Sequence, residues 1–206
     1  PGAGFGGWLL CGTCREPHRG FCCDPHGIVR GDGRAQAEPV NPVLKQFTEF
    51  TAMTARLETL WQSLPLDGKP LQEQAALLNK AAAGALHYVP GLTSISTTAG
   101  QAFALGSGVC QDYAHILLAL ARRSGFAARY CMGLVPGEGA THAWVELALP
   151  DGWHGYDPTF ACEAGEEHLR FAVGRDAADC RAERGVFRGA AEQTLHTEMR
   201  LDIRKG

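Results

Sequence analysis

Helical spacing governs residues 71–88. Leu71, Ala75, Leu78, Ala82 and Leu86 recur on one face, and Pro90-Gly91 closes the run. A polar stretch of Thr, Ser and Gly follows, then a short helical piece at 99–105. The clearest helix is expected at 109–124. Ala114, Ile116, Leu117, Leu118, Leu120 and Ala121 cover most of its circumference, so it belongs at the centre of the fold. Arg122 and Arg123 suit the negative end of its dipole, and Gly125 ends it.

Downstream the period changes from helical to alternating. Strands are expected at 128–135, 141–149 and 153–157, with Pro150-Asp151-Gly152 turning between the last two. Residues 166–172 read as helical or irregular, and 195–203 as a final strand in which Thr197, Met199 and Leu201 alternate with Glu198, Arg200 and Asp202. Upstream of 65 the pattern is weaker. Phe21-Cys22-Cys23, Asp24-Pro25-His26-Gly27 and Ile28-Val29 read as strand, turn and strand. Over 47–60, Phe47, Phe50, Met53, Leu57 and Leu60 suit a helix, while Thr48, Thr51 and Thr54 favour a strand. The division expected is a short β-rich N-terminal region, 1–65, before an α+β domain, 66–206.

Composition narrows the class. A chain of 206 residues with 45% hydrophobic and 20% charged content is that of an ordinary globular protein. A net charge of -3 leaves no electrostatic footprint for nucleic acid, and no apolar run is long enough to span a bilayer. Pro1 to Leu10 has neither the basic start nor the apolar core of a signal peptide. The eight cysteines are unevenly spaced, and a core of this size needs no staples. Free thiols in a reducing, cytoplasmic setting are therefore expected.

One of these cysteines has the setting of a nucleophile. Cys110 follows Gly108-Val109 at the start of the central helix, where unpaired N–H groups favour a thiolate and can also donate to an oxyanion. Taken alone, it could equally be a small buried hydrophobe. His142 lies in a strand whose Ala143, Val145, Leu147 and Leu149 form one apolar face. It points the other way with Trp144 and Glu146, and a helix packed on that side would bring its cysteine within reach. Asp157 ends the next strand. If Ala148 faces Trp153 across the turn, Asp157 falls opposite Trp144, on the face of His142 and diagonal to it. A carboxylate there can hold the imidazole tautomer; in isolation, an Asp-Pro pair is more often a turn former.

Other signals compete. Cys11-Gly12-Thr13-Cys14 and Cys22-Cys23, near His18 and His26, invite a zinc reading, but the pairs are closely spaced and the second is contiguous. Incidental thiols are the expectation, with no metal and no cofactor. His115 is an alternative base, better read as packed on a neighbour. Asp112 suits the helix dipole. Arg129, Arg175 and Arg188 could bind a substrate carboxylate and read more simply as surface charges.

Together, Gly108-Val109-Cys110-Gln111-Asp112-Tyr113-Ala114-His115, Gly125-Phe126-Ala127-Ala128-Arg129-Tyr130, Thr141-His142-Ala143-Trp144-Val145-Glu146 and Gly152-Trp153-His154-Gly155-Tyr156-Asp157-Pro158-Thr159 resemble the transglutaminase-like superfamily of papain-like thiol enzymes. The likeness extends through Ala172-Val173-Gly174-Arg175-Asp176 and Arg184-Gly185-Val186-Phe187-Arg188-Gly189 to the final strand, and it is greatest to a bacterial branch regarded as cysteine proteases. It implies a central helix carrying Cys110, packed on an antiparallel sheet carrying His142 and Asp157. It also implies the roles of nucleophile, base and orienter for these three, acting on a peptide or amide substrate through a thioester. The Cys110 amide is one expected oxyanion donor, with Gln101 or Ser107 as the second. Hydrolysis is favoured over transfer to an amine, which needs a second substrate site; a non-catalytic binding module is the remaining alternative.

Overall fold

A computed structural model describes residues 12–16, 19–20, 22, 24, 26–29, 38–181, 188–189, 194 and 198–203. Four helices occur in it: α1 (Ala55–Gln62), α2 (Leu71–Ala83), α3 (Ala99–Leu105) and α4 (Cys110–Arg123). The strands are β1 (His87–Tyr88), β2 (Ser107–Gly108), β3 (Ala128–Leu134), β4 (Gly137–Gly139), β5 (His142–Leu149), β6 (Gly152–Asp157), β7 (Cys162–Ala164), β8 (Leu169–Gly174) and β9 (Met199–Leu201). The main sheet has five strands in the order β7-β6-β5-β3-β8, and its neighbours pair antiparallel. Short ribbons join β1 to β2 in parallel and β4 to β9 antiparallel.

Helix α4 is the centre. From Asp112 to Arg122 every residue is buried. It lies on one face of the main sheet, where Ala128, Tyr130, Ala143, Val145, Leu147 and Tyr156 share a core with Ile116, Leu117, Leu118 and Leu120. Register explains why these residues share a face: Ala128 pairs with Leu147, Tyr130 with Val145, and Val145 with Tyr156. Helices α2, α3 and α1 close over the remaining sides of α4 through Leu78, Ala102 and Leu57.

The segment before residue 65 differs from the expected β-rich region. Among its described residues, Pro42–Lys45 and Glu49–Thr51 are 3-10 turns and 55–62 is helical. The threonines that favoured a strand act as caps. Thr54 Oγ1 accepts from the Leu57 amide at 3.4 Å, and Thr51 Oγ1 from the Thr48 amide at 3.0 Å. Leu57 is fully buried in the core that also holds Leu66, so no separate core ends at 65. Ile28 and Val29 lie outside any strand and are exposed. Phe21 and Cys23 fall outside the described residues.

Three further expectations change. The helix expected over 71–88 stops at Ala83, because His87 and Tyr88 find strand partners in Ser107 and Gly108. Part of the segment 166–172 is strand β8, drawn out by pairing with β3 across a bulge at Met132/Gly133. Gly133 is required there, since a Cβ would sit 2.0 Å from the Leu169 carbonyl oxygen. The final strand is confined to β9, whose partner is β4; residues 195–197 lie outside the described residues.

A buried guanidinium ties the ends together. Arg122, 4% exposed, donates to the carbonyls of Leu44 (3.1 Å), Ala128 (3.1 Å) and Arg175 (2.5 Å) and to Thr51 Oγ1 (2.7 Å). Burial pulls it down to about 10, although Asp176 opposes the fall, so it stays charged at neutral pH. Beside it, Arg123 pairs with Glu58 and lies over Trp61, whose indole donates to Ser124. Arg122→Met takes the guanidinium from three carbonyls, while Thr51 Oγ1 keeps the Thr48 amide. We expect a loss of about 3 kcal/mol in urea unfolding, and a much smaller effect for Arg123→Met, whose ion pair faces solvent.

Candidate active site

The start of α4 is built from the loop before it. Asp112 reaches back to accept from the Val109 amide (2.8 Å) and from Thr93 Oγ1 (2.7 Å), while Gln111 holds the Ser94 carbonyl at 3.3 Å. This is half of a capping box, with a valine at the cap that has no oxygen to offer. Gly108 makes room for it: a Cβ there would lie 2.7 Å from the Asp112 side chain. Burial raises the Asp112 carboxyl, although the Val109 amide and Thr93 pull it down. The dipole role expected for Asp112 thus becomes a specific bond that sets the angle of the loop entering Cys110. The thiol is free and partly exposed.

His142 is the first residue of β5 and Cys110 the first of α4. Strand alternation puts His142 on the face away from the helix, with Cys131, Trp144 and Glu146. The helix therefore does not pack on the His142 side, as expected, but on the apolar side. The two residues still come together, because both elements begin at one rim of the sheet, where the Cys110 thiol lies near enough to the imidazole to favour its charged form.

The hairpin register is the one on which the Asp157 argument depends. Ala148 pairs with Trp153 and Val145 with Tyr156, so Asp157 stands opposite Trp144. Its Oδ2 lies 2.7 Å from Nε2 of His142, leaving Nδ1 for the thiol. Asp157 is fully buried, and its Oδ1 accepts from the amides of Thr159 (2.9 Å) and Phe160 (3.3 Å). Burial works against the carboxylate, but the bonds from His142 and His168 overcome it and hold the group far below the ordinary range. Burial likewise opposes the imidazolium. The hydrogen bond to Asp157 and the neighbouring Cys110 thiol outweigh it and raise His142 from 6.5 to about 9.

Aromatic rings enclose the imidazole. Trp144, 1% exposed, stacks at 6.3 Å and Phe160 at 5.0 Å. Phe160 is itself exposed, as is Tyr88, which lies near Cys110. Sequence reading did not find Tyr88, Phe160 or His168. His168 sits in the loop between β7 and β8, with Nε2 at 3.1 Å from Asp157 Oδ2, and no periodicity marks a loop residue.

The competing residues have other work. His115 is fully buried between Phe50 and Tyr130, accepts from the Ala177 amide at 3.2 Å, and is pushed by burial to about 4, which makes it a neutral core group. Arg129 is buried against Glu38, Glu146 and Trp153, and Arg175 pairs with Asp179. Gln101 caps α3 by accepting from the Thr98 amide at 2.9 Å through Oε1, a bond that does not use the Nε2 donor an oxyanion would need. Ser107 pairs with His87 in the ribbon leading to Cys110. Cys14 and Cys22 are exposed free thiols; Cys11, Cys23 and His18 lie outside the described residues. Within the described residues, His142, Asp157 and His168 are the one group whose ligand atoms converge enough to hold a metal, within 4.8 Å of one another. They fit one poorly. The Gly165 amide lies 3.3 Å from Nδ1 of His168 and needs a lone pair there, which keeps the ring proton on Nε2, the atom a metal would take.

A thiol at a helix start, an imidazole on the sheet rim and a buried carboxylate behind it define a papain-like thiol-enzyme architecture. Residues 62–158, the segment that carries Cys110, His142 and Asp157, match the profile described as transglutaminase-like superfamily. An uncharacterized protein of Mycobacterium leprae is 32% identical over 160 residues, covering 73% of this chain and 57% of the relative. Another, from Mycobacterium tuberculosis strain H37Rv, is 32% identical over 124 residues, covering 52% of this chain and 40% of the relative. The chain thus spans about half the length of these relatives. The crystal structure of a candidate cysteine protease from Cytophaga hutchinsonii shares the fold, with a TM-score of 0.58 at 23% identity over 66% of this chain and 47% of that one.

The raised His142 has a consequence for stability. Its folded value exceeds the unfolded 6.5, so the pairing stabilises the fold fully below about pH 6.5 and is lost as pH rises through about 9. An NMR titration of the His142 ring should give a midpoint near 9, falling toward 6.5 in Asp157→Asn. An unchanged midpoint in that variant would remove Asp157 as the partner.

Proposed function

We propose that this chain is a thiol-dependent amide or peptide hydrolase that works through Cys110, His142 and Asp157 and a thioester acyl-enzyme. The supporting observation is that one imidazole lies 2.7 Å from a buried carboxylate through Nε2, while the Cys110 thiol stands beside the ring at the rim where α4 and β5 both begin. The Cys110 sulfur attacks the carbonyl carbon, and a C–S bond forms. The C–N bond then breaks as His142, charged as imidazolium, gives its proton to the leaving amine. His142 next takes a proton from water, whose oxygen displaces the sulfur and frees the acid. The Cys110 amide, in the first turn of α4, donates to the oxyanion at both stages. Asp157 keeps Nδ1 of His142 directed at the sulfur throughout.

Tyr88 and Phe160 are uncharged walls beside the reacting pair, which suits a peptide or amide substrate. The chemistry needs a reduced thiol, so a reducing compartment such as the cytoplasm suits it. Delivery of the acyl group to a primary amine uses the same first half-reaction and is the competing outcome.

Cys110→Ala should lower hydrolysis of a fluorogenic peptide library by at least roughly 10³-fold while leaving the far-ultraviolet circular dichroism unchanged. Undiminished turnover in this variant sinks the assignment. Incorporation of a labelled primary amine into a glutamine-bearing protein, faster than hydrolysis, would move the reading to acyl transfer.

A further inference from the structure

We propose that His168 is a second positioning residue of this site: as a neutral imidazole it donates its Nε2–H to the carboxylate oxygen that also holds His142, and so fixes Asp157 for catalysis. The proposal builds on the hydrolase reading and adds a residue to it.

The first support is the hydrogen-bond accounting of a buried carboxylate. Asp157 has no exposed surface, so its lone pairs must be met inside the protein. Oδ1 is met by the Thr159 and Phe160 amides at 2.9 and 3.3 Å. Oδ2 takes His142 at 2.7 Å and His168 at 3.1 Å. The backbone donors anchor one oxygen only. Rotation about the Cβ–Cγ bond moves both oxygens, so a second donor on Oδ2 adds to the restraint that the two amides exert through Oδ1. His168 is the independent anchor on that oxygen.

The second support is the tautomer. The Gly165 amide donates to Nδ1 of His168 at 3.3 Å, and only an unprotonated nitrogen can accept it. The proton is therefore on Nε2, facing Asp157. His168 brings a dipole to the carboxylate without a second formal charge, so it does not displace the His142 imidazolium as counter-ion.

The third support is rigidity. The His168 amide closes a turn onto the Gly165 carbonyl at 2.9 Å, so main chain and ring are fixed by the same glycine. Trp144 meets the ring edge-on at 5.2 Å and 73°, and the side chain is 10% exposed. Trp144 also stacks on His142, so a single indole sets the spacing of the two imidazoles.

The test uses the whole chain and two readouts. Long-range ¹H–¹⁵N correlation spectra of the wild-type protein in chelator should show His168 as the Nε2–H tautomer; the Nδ1–H tautomer overturns the proposal. His168→Gln keeps an N–H near the position of Nε2, whereas His168→Leu does not. With iodoacetamide as probe and mass spectrometry to map the site, Cys110 alkylation at neutral pH should fall roughly tenfold or more in His168→Leu and stay within about threefold of wild type in His168→Gln. Equal loss in both variants, or no loss in the leucine variant, leaves His168 a loop support only and overturns the proposal. If His168→Leu does not fold, the tautomer and the glutamine variant still decide. None of these measurements needs a substrate, so a failed hydrolase assignment would show as activity in Cys110→Ala with the His168 tautomer intact.

Discussion

The burial of α4 is the constraint on which everything else depends. A helix covered on all sides, with Ala114, Ile116, Leu117, Leu118 and Leu120 wholly removed from solvent, can neither slide nor rotate without opening the core. Its two ends are therefore fixed points. At the C-terminal end Arg122 gathers carbonyls from the 3-10 segment, from β3 and from the chain after β8. At the N-terminal end Cys110 is delivered to the rim where β5 begins. Apolar burial supplies the energy, while the polar bonds at each end determine what that energy positions.

The sheet divides the labour between its faces. One face is given to the core through Tyr130, Val145 and Leu147. The other carries a polar ladder in which Arg129 and Arg170 share Glu146 and Glu38, and it continues past Trp144 to His142 and Asp157. The imidazole and the thiol thus come from opposite sides of the sheet's mean plane and meet only past its end. This leaves the thiol partly exposed while the carboxylate behind the ring stays dry. In such a setting, charge that would be screened in water is felt in full by the ring, which is why His142 holds its proton well beyond its usual range.

Much of this was legible in the chain. Residues 109–124, 128–135, 141–149 and 153–157 carry strong periodicity, and each became the expected helix or strand to within a residue or two. Cys110, His142 and Asp157 could be singled out because each sits at the boundary of a strongly patterned element. The register that brings Asp157 to His142 was a supposition about the turn near Pro150-Asp151, where one residue fewer reverses the face, and the pairing of Ala148 with Trp153 is the one adopted. The threonines of 48–54 misled because their β preference is weak next to the capping bonds they make. Strand β8 was illegible because it is a strand only by virtue of the open edge of β3.

What the sequence by itself determined is therefore local: which segments are helix or strand, which faces are apolar, and that a thiol, an imidazole and a carboxylate stand at element ends. Tertiary structure alone decided which side of the sheet the helix covers, since alternation names two faces without saying which faces α4. It alone brought His168 from a patternless loop to Asp157 and buried His115 as a neutral packing group. The physical reason is the same in each case. Periodicity records how a residue faces its own element, whereas a hydrogen bond between elements depends on where the whole core places them.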